Sequence, residues 1–184
     1  MELNDDSDQE YIDLPETIRE CQQCMEHTKT GDRCSRNTCQ YSDKCWQHTK
    51  SAKGLSIRKS NINAANLGLF ATKMFKKGDR VATYGGTDRS MKTWNKNPGY
   101  YGLAWNKDEV LDARSTQSSL GRWINDCRSS NIKKGECKGN NARFSMKRSA
   151  PRKASVKATK TIHPDEEIFV SYGRSYWRDH DKLI

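Results

Sequence analysis

Apolar residues fall along this chain in brief runs separated by turn residues, and hardly anywhere at helical spacing. Leu69-Phe70-Ala71 follows Asn66-Leu67-Gly68, Val81 to Tyr84 follows Lys77-Gly78-Asp79, and Tyr101, Leu103 and Trp105 alternate ahead of Asn106-Lys107-Asp108. Short runs bounded by Gly, Asn and Asp are strand and hairpin signals. The same reading predicts strands at Val110-Leu111, Asn141 to Met146, Ala154 to Ala158 and Ile168 to Tyr172, with one short helical turn at Ser118 to Ile124. No internal repeat is visible. The expectation is a mainly β domain with few short helices, running from residue 57 to 178.

Ahead of that domain the pattern is different. Residues 1–20 hold eight acids and one base, and few large apolar residues. Such a segment buries too little surface to offset its ordering entropy, which predicts a flexible acidic tail. Residues 21–50 are dense in Cys, His, Thr and Lys and poor in aliphatic residues, so this segment needs reinforcement to fold. Residues 51–56 read as a polar linker and 179–184 as a C-terminal tail.

Charge sharpens this division. The chain carries +10 overall, but the tail is −7 and the remainder +17. A body this basic is expected near an acidic partner, with nucleic acid or a nucleosome a candidate. No apolar run approaches the ~18 residues of a membrane span, and the acidic start is unlike a secretory signal. The expected setting is intracellular, with no membrane partner. In a reducing compartment, seven cysteines split five to two between residues 21–45 and 127–137 read as metal ligands before disulfides.

The segment CQQCMEHTKTGDRCSRNTCQYSDKCWQH offers five cysteines and two histidines, more than the four ligands of a structural tetrahedral zinc site. One choice pairs Cys21-x2-Cys24 with Cys45-x2-His48. The other, favoured, takes Cys24, Cys34, Cys45 and His48, because the spacing from Cys24 through Thr28 and Gly31 to Cys34, closed by Cys45-Trp46-Gln47-His48, resembles a small cysteine-rich module found in large DNA viruses and some eukaryotes. On that reading Cys21, Cys39 and His27 are spare. Cys127 and Cys137 are expected as free thiols. No general base sits beside the ligands, so the zinc is expected to be structural, as a folding staple or a recognition module.

Three ordered blocks then carry a resemblance that no single motif could. The first is Asn66-Leu67-Gly68-Leu69-Phe70-Ala71, Lys77-Gly78 and Tyr84-Gly85-Gly86. The second is Leu111-Asp112-Ala113, Gly121 to Cys127 (GRWINDC) and Asn141-Ala142-Arg143-Phe144. The third runs from Ile162 to Trp177 (IHPDEEIFVSYGRSYW). In order and spacing these are similar to the SET-domain protein lysine methyltransferases. The resemblance implies small curved β-sheets with a pseudoknot, S-adenosylmethionine (SAM) as cofactor, and transfer of its methyl group to a protein lysine. Asn66 stands where the family has a first glycine, Asp126 where it has His, and Asp165 where it has Gly. A left-handed turn at Asn66 is expected, and the stretch Arg128 to Asn140 reads as an inserted surface loop.

Carried over residue by residue, the resemblance implies Tyr172 and Tyr84 as catalytic. Asn66, Leu67, Gly68, Tyr101, Asn125, Asp126, Tyr172 and Trp177 would bind the cofactor. Phe144 is a further candidate for the aromatic channel. A histone tail or another chromatin protein is the family's common acceptor, implying a nuclear or chromatin setting; the compact architecture suggests a viral origin, in a host nucleus or viral factory. The departures at Asn66, Asp126 and Asp165 also admit a catalytically weak SET-like adaptor that binds protein or nucleic acid through the zinc module.

Overall fold

The structure, a computed structural model of the chain, describes residues 17–39, 43–62, 65–127, 137–146 and 152–180. The tail up to Glu16, most of the expected insertion (128–136), residues 147–151 and residues 181–184 lie outside the described residues.

The cysteine-rich segment contains a minimal hairpin, β1 (Gln22–Gln23) with β2 (Asn37–Thr38), followed by α1 (Trp46–Lys53). Helix α1 ends at Gly54, whose φ of 67° closes the turn through an N–H bond to Lys50 O. The chain passes at once into β3 (Leu55–Lys59), antiparallel to β4 (Leu67–Ala71). The expected linker 51–56 is therefore the end of a helix and the start of a strand, because the Leu55 side chain is fully buried in the main core.

Beyond β4, strands β5 (Arg80–Tyr84), β6 (Thr87–Ser90), the short helix α2 (Met91–Trp94), β7 (Gly102–Ala104) and β8 (Glu109–Asp112) lead to a 3₁₀ turn at Leu120–Trp123. Strands β9 (Ala142–Met146) and β10 (Ala154–Ala158) and helix α3 (Arg174–His180) complete the described elements. Two three-stranded antiparallel sheets, in the orders β5-β10-β9 and β6-β8-β7, join the β3-β4 pair. Strand β10 shows the alternation that predicted it: Ala154, Val156 and Ala158 are buried, while Ser155 and Lys157 are half-exposed. None of the described helices is long and apolar enough to cross a membrane.

Two expected elements differ. Residues 168–172 form no ladder strand. Ile168 N bonds Leu69 O (2.8 Å), Phe169 N bonds the Asn141 side chain (2.8 Å), and Val170 N bonds Asn125 O (3.0 Å). One bond to each of three segments satisfies the backbone without a partner strand, and Ile168, Phe169 and Val170 are all buried. The second difference is the end of the acidic tail. Ile18 pairs in parallel with Ser115, and Thr17 Oγ1 accepts from Arg122 NH2 (2.9 Å). Thr17–Glu20 is thus anchored to the body by backbone pairing that charge composition does not register.

Candidate functional site: a half-buried aromatic and carboxylate cluster

The crossing of the 168–172 segment past residues 124–126 brings the motif residues together. Asp126, 3% exposed, accepts from Tyr172 N at 2.7 Å and Trp177 Nε1 at 2.9 Å through Oδ2, and from Asn140 Nδ2 at 3.2 Å through Oδ1. One carboxylate thereby ties the end of the 3₁₀ segment to α3 and to the far side of the 128–136 stretch. Tyr172 stacks on Trp177 (centroids 5.9 Å apart, 14° between planes) and meets Tyr176 edge-on at 4.8 Å. The Tyr172 hydroxyl donates to Ile124 O at 2.6 Å.

Asn125 is half-buried, and its carboxamide Nδ2 donates to Leu67 O (2.9 Å), Glu167 Oε1 (3.1 Å) and Ser60 Oγ (3.3 Å). Those three acceptors fix the orientation of the amide. Its Oδ1 makes no hydrogen bond among the described residues. Glu167, buried behind it, also accepts from Ser60 Oγ and from Asn61 N, each at 2.7 Å. Burial pushes the Glu167 carboxyl up, against the lowering effect of the bonds from Asn61, Ser60 and Asn125.

Gly68 is explained by the same carboxylate. A Cβ at this position would lie 2.1 Å from Glu167 Oε1. The close approach that requires glycine here is between Gly68 and a protein side chain. Asn66, exposed at the entry to β4, accepts from Ser60 N at 3.1 Å. Among the described residues only Asp165 is a non-glycine with positive φ (68°). The left-handed turn expected at Asn66 is absent, so the change from glycine there costs no strain. Asp165 does take the left-handed turn that its family glycine implies.

Tyr84 and Tyr101 form an adjoining aromatic group. The Tyr84 hydroxyl donates to Tyr101 O at 2.7 Å, and its ring meets Phe144 edge-on at 5.5 Å. Phe144 packs against both this group and the main core, as Tyr172 does against the core. Burial raises the phenols of Tyr84 and Tyr172, so both are neutral at ordinary pH. Tyr101 lies under the Arg122 guanidinium (3.8 Å to the ring centroid), and its hydroxyl faces Thr17 Oγ1 at 3.5 Å. The structure thus groups Leu67, Gly68, Asn125, Asp126, Tyr172 and Trp177 directly, with Tyr84 and Tyr101 alongside.

Arg122, Glu167 and Ser60 were not expected in the site. Arg122 is 4% exposed, packs on Tyr101 and Trp123, and its NH1 has no hydrogen-bond partner among the described residues. The visible signal was its place inside GRWINDC; nothing in that string showed that it would be buried.

In the cysteine-rich segment, Cys24, Cys34, Cys45 and His48 offer ligand atoms that all lie within 4.8 Å of one another, and the three cysteines are buried. His48 Nδ1 is 3.4 Å from both Cys24 Sγ and Cys45 Sγ. Zinc bonded tetrahedrally to S and N would hold such pairs ~3.5 Å apart, so the set fits a structural zinc ion. A hydrogen bond from the Arg36 backbone lowers the Cys34 thiol, which favours the thiolate a metal needs, whereas burial pushes Cys45 up. Cys21 is bonded to Cys39, outside the cluster. Cys127 and Cys137, expected as free thiols, are also joined in a disulfide. Their Cα atoms are 5.9 Å apart, and the bonds Cys127 N to Asn140 Oδ1 and Gly139 N to Cys127 Sγ hold the two strands of chain at that spacing.

Residues 66–173 match the SET domain family, and this is more than half of the chain. The chain belongs to the SET domain family. SET domains are typical of protein lysine methyltransferases, which use SAM in general. No curated protein matches the chain. The residues fit that cofactor: the unpaired Asn125 Oδ1 suits the ammonium of an amino-acid moiety, and the half-buried Trp177 indole suits a flat base.

Proposed function

We propose that the protein is a SAM-dependent lysine N-methyltransferase acting on a histone tail or another chromatin protein. The observation that carries this reading is the convergence of the three motif blocks: Asp126 of the second accepts from Tyr172 and Trp177 of the third, and the neighbouring Asn125 donates to Leu67 O of the first. Asn66, Leu67, Gly68, Tyr101, Asn125, Asp126, Tyr172 and Trp177 would hold the cofactor. When bound, SAM supplies an electrophilic methyl group on a sulfonium.

The chain's own task is to present a neutral, aligned amine. A lysine of reference pKa ~10.4 must be shifted by about three units, roughly 4 kcal/mol, to be neutral at pH 7. Tyr84, Phe144 and Tyr172 offer an aromatic lining that desolvates the ammonium, and the buried Arg122 cation beside Tyr101 repels it. Both effects favour the free amine. With its proton donated to Ile124 O, the Tyr172 hydroxyl presents lone pairs that accept from an amine N–H. A neutral phenol in this role orients the amine and takes no proton from it. The aromatic faces also stabilise the methylated ammonium product.

Incubation of the full chain with labelled SAM, mixed histones and nucleosomes tests the reading. Label on lysine is expected. A chain that binds no SAM by calorimetry would overturn it in favour of an adaptor role.

A further inference from the structure

At the seam between the cysteine-rich segment and the SET domain lies a cavity of about 670 Å³ that contains none of the residues assigned above. Four cations from four separate stretches of chain meet on it: Lys53 at the end of α1, Lys73 after β4, Arg80 at the start of β5 and Lys153 just before β10. Asp43 is the one acid among the described lining residues, and it pairs with Lys53 at 3.8 Å, with both side chains substantially exposed. Like charges gathered with so little compensation cost stability through mutual repulsion, which a bound anion would relieve.

The floor decides which anion. Leu55 (0%), Phe75 (4%), Val81 (6%), Ala82 (7%) and Leu120 (6%) are themselves almost fully covered, so none of the large apolar residues of the lining stands open as a pocket for a peptide side chain. Apart from Asp43, the lining residues that are exposed or half-buried are cationic or hydroxylic: the four cations, with Thr83 and Ser118 half-buried. Recognition by charge and hydrogen bonds alone, without side-chain pockets, is the way proteins contact phosphate backbones.

We propose that this seam is a sequence-independent docking site for the phosphodiester backbone of nucleic acid. It resolves an electrostatic difficulty, because a body of +17 repels a basic acceptor peptide unless a polyanion lies between them. The proposal itself does not depend on methyl transfer.

The test is anisotropy of a labelled DNA duplex titrated with the full chain between 50 and 200 mM salt. One variant carries Lys53→Gln, Lys73→Gln, Arg80→Gln and Lys153→Gln. A control with the same charge change carries Lys50→Gln, Lys92→Gln, Lys96→Gln and Lys107→Gln, all at exposed positions away from the cavity lining. At ~0.9 per phosphate contact, the seam variant should lower the slope of log K against log salt by about 3 to 4 and weaken binding more than tenfold at low salt. The control should fall by much less. A charge-keeping variant, Lys53→Arg, Lys73→Arg and Lys153→Arg, should bind as the wild type does, which separates lost contacts from lost folding. Equal weakening of seam and control variants overturns the site, as does binding of poly-glutamate in place of the duplex.

Discussion

Replacing Asp126 by asparagine removes one charge and keeps the shape of the side chain. In the wild type, Oδ2 takes two donors, Tyr172 N and Trp177 Nε1, and Oδ1 takes Asn140 Nδ2. The variant keeps one oxygen for the first two, and its new amide group can be met by a turned Asn140 amide. The bonds then survive in number and lose their charge assistance. A charge-assisted bond contributes ~1.5–3 kcal/mol and a neutral one ~0.5–1.5. Two such bonds, discounted because Tyr172 and Trp177 are only half-buried, give a loss of about 2 kcal/mol for Asp126→Asn. Asp126→Ala leaves all three donors without partners and should cost about 3–5 kcal/mol. Urea unfolding followed by circular dichroism measures both. A double-mutant cycle with Trp177→Phe, which removes the indole N–H, should give a coupling energy of about 1–2 kcal/mol. Strict additivity, or an Asp126→Asn variant within ~0.5 kcal/mol of wild type, would refute the role given to this carboxylate.

Three further outcomes are expected. Gly68→Ala drives a methyl group against Glu167, at 2.1 Å from Oε1, and should destabilise by about 1–3 kcal/mol in urea unfolding. Burial holds the folded Glu167 carboxyl above the ordinary value of 4.5, so its proton is bound more tightly in the folded state. Its contribution is complete below the unfolded-state value and is lost as pH rises through the folded one, so wild type should lose stability relative to Glu167→Gln as pH rises above the ordinary carboxyl value in parallel unfolding series. Cys34→Ser should abolish zinc binding in native mass spectrometry while Cys21→Ser retains it, because Cys34 lies in the four-ligand cluster and Cys21 in a disulfide.

The strands that the sequence made legible are short runs beside turn residues, with one face covered at 154–158 and both at 67–71. The runs at 67–71, 80–84 and 154–158 alternate or end at glycine turns, and each pairs with a neighbouring strand. Helix α1 escaped notice because WQHTKSAK has no apolar stripe; Thr49 is its one buried residue, and it is fixed by the Gly54 cap and the cluster residues Cys45 and His48. Ile168 to Val170 read as a strand because a continuous apolar run cannot reveal that its bonds go to three different segments. Of the four-residue metal set, spacing made the Cys45-x2-His48 closure legible, but both ligand choices share it, and Cys34 was taken on a resemblance to a small cysteine-rich module. The two disulfides were not legible, because an expectation of reducing surroundings set them aside and connectivity is a matter of three-dimensional spacing.

Within the site, the motif blocks were readable as strings, and what joins them was not. Asp126 looked like a departure from a histidine, yet it is the group on which Tyr172 and Trp177 are fixed. Glu167 sat at the end of an acidic triplet, with no sign that it would be buried against Gly68, Ser60 and Asn125. Both roles depend on the 168–172 segment crossing residues 124–126, a contact between positions more than forty residues apart.

The central claim is that Tyr172 orients an acceptor amine for methyl transfer. It is tested most directly by measuring transfer from labelled SAM to a lysine peptide in wild type and Tyr172→Phe, with SAM binding and unfolding followed in parallel. The variant loses the 2.6 Å bond to Ile124 O and the hydroxyl lone pairs. Transfer should fall by ~100-fold or more with cofactor binding intact. Undiminished transfer in Tyr172→Phe would contradict the claim.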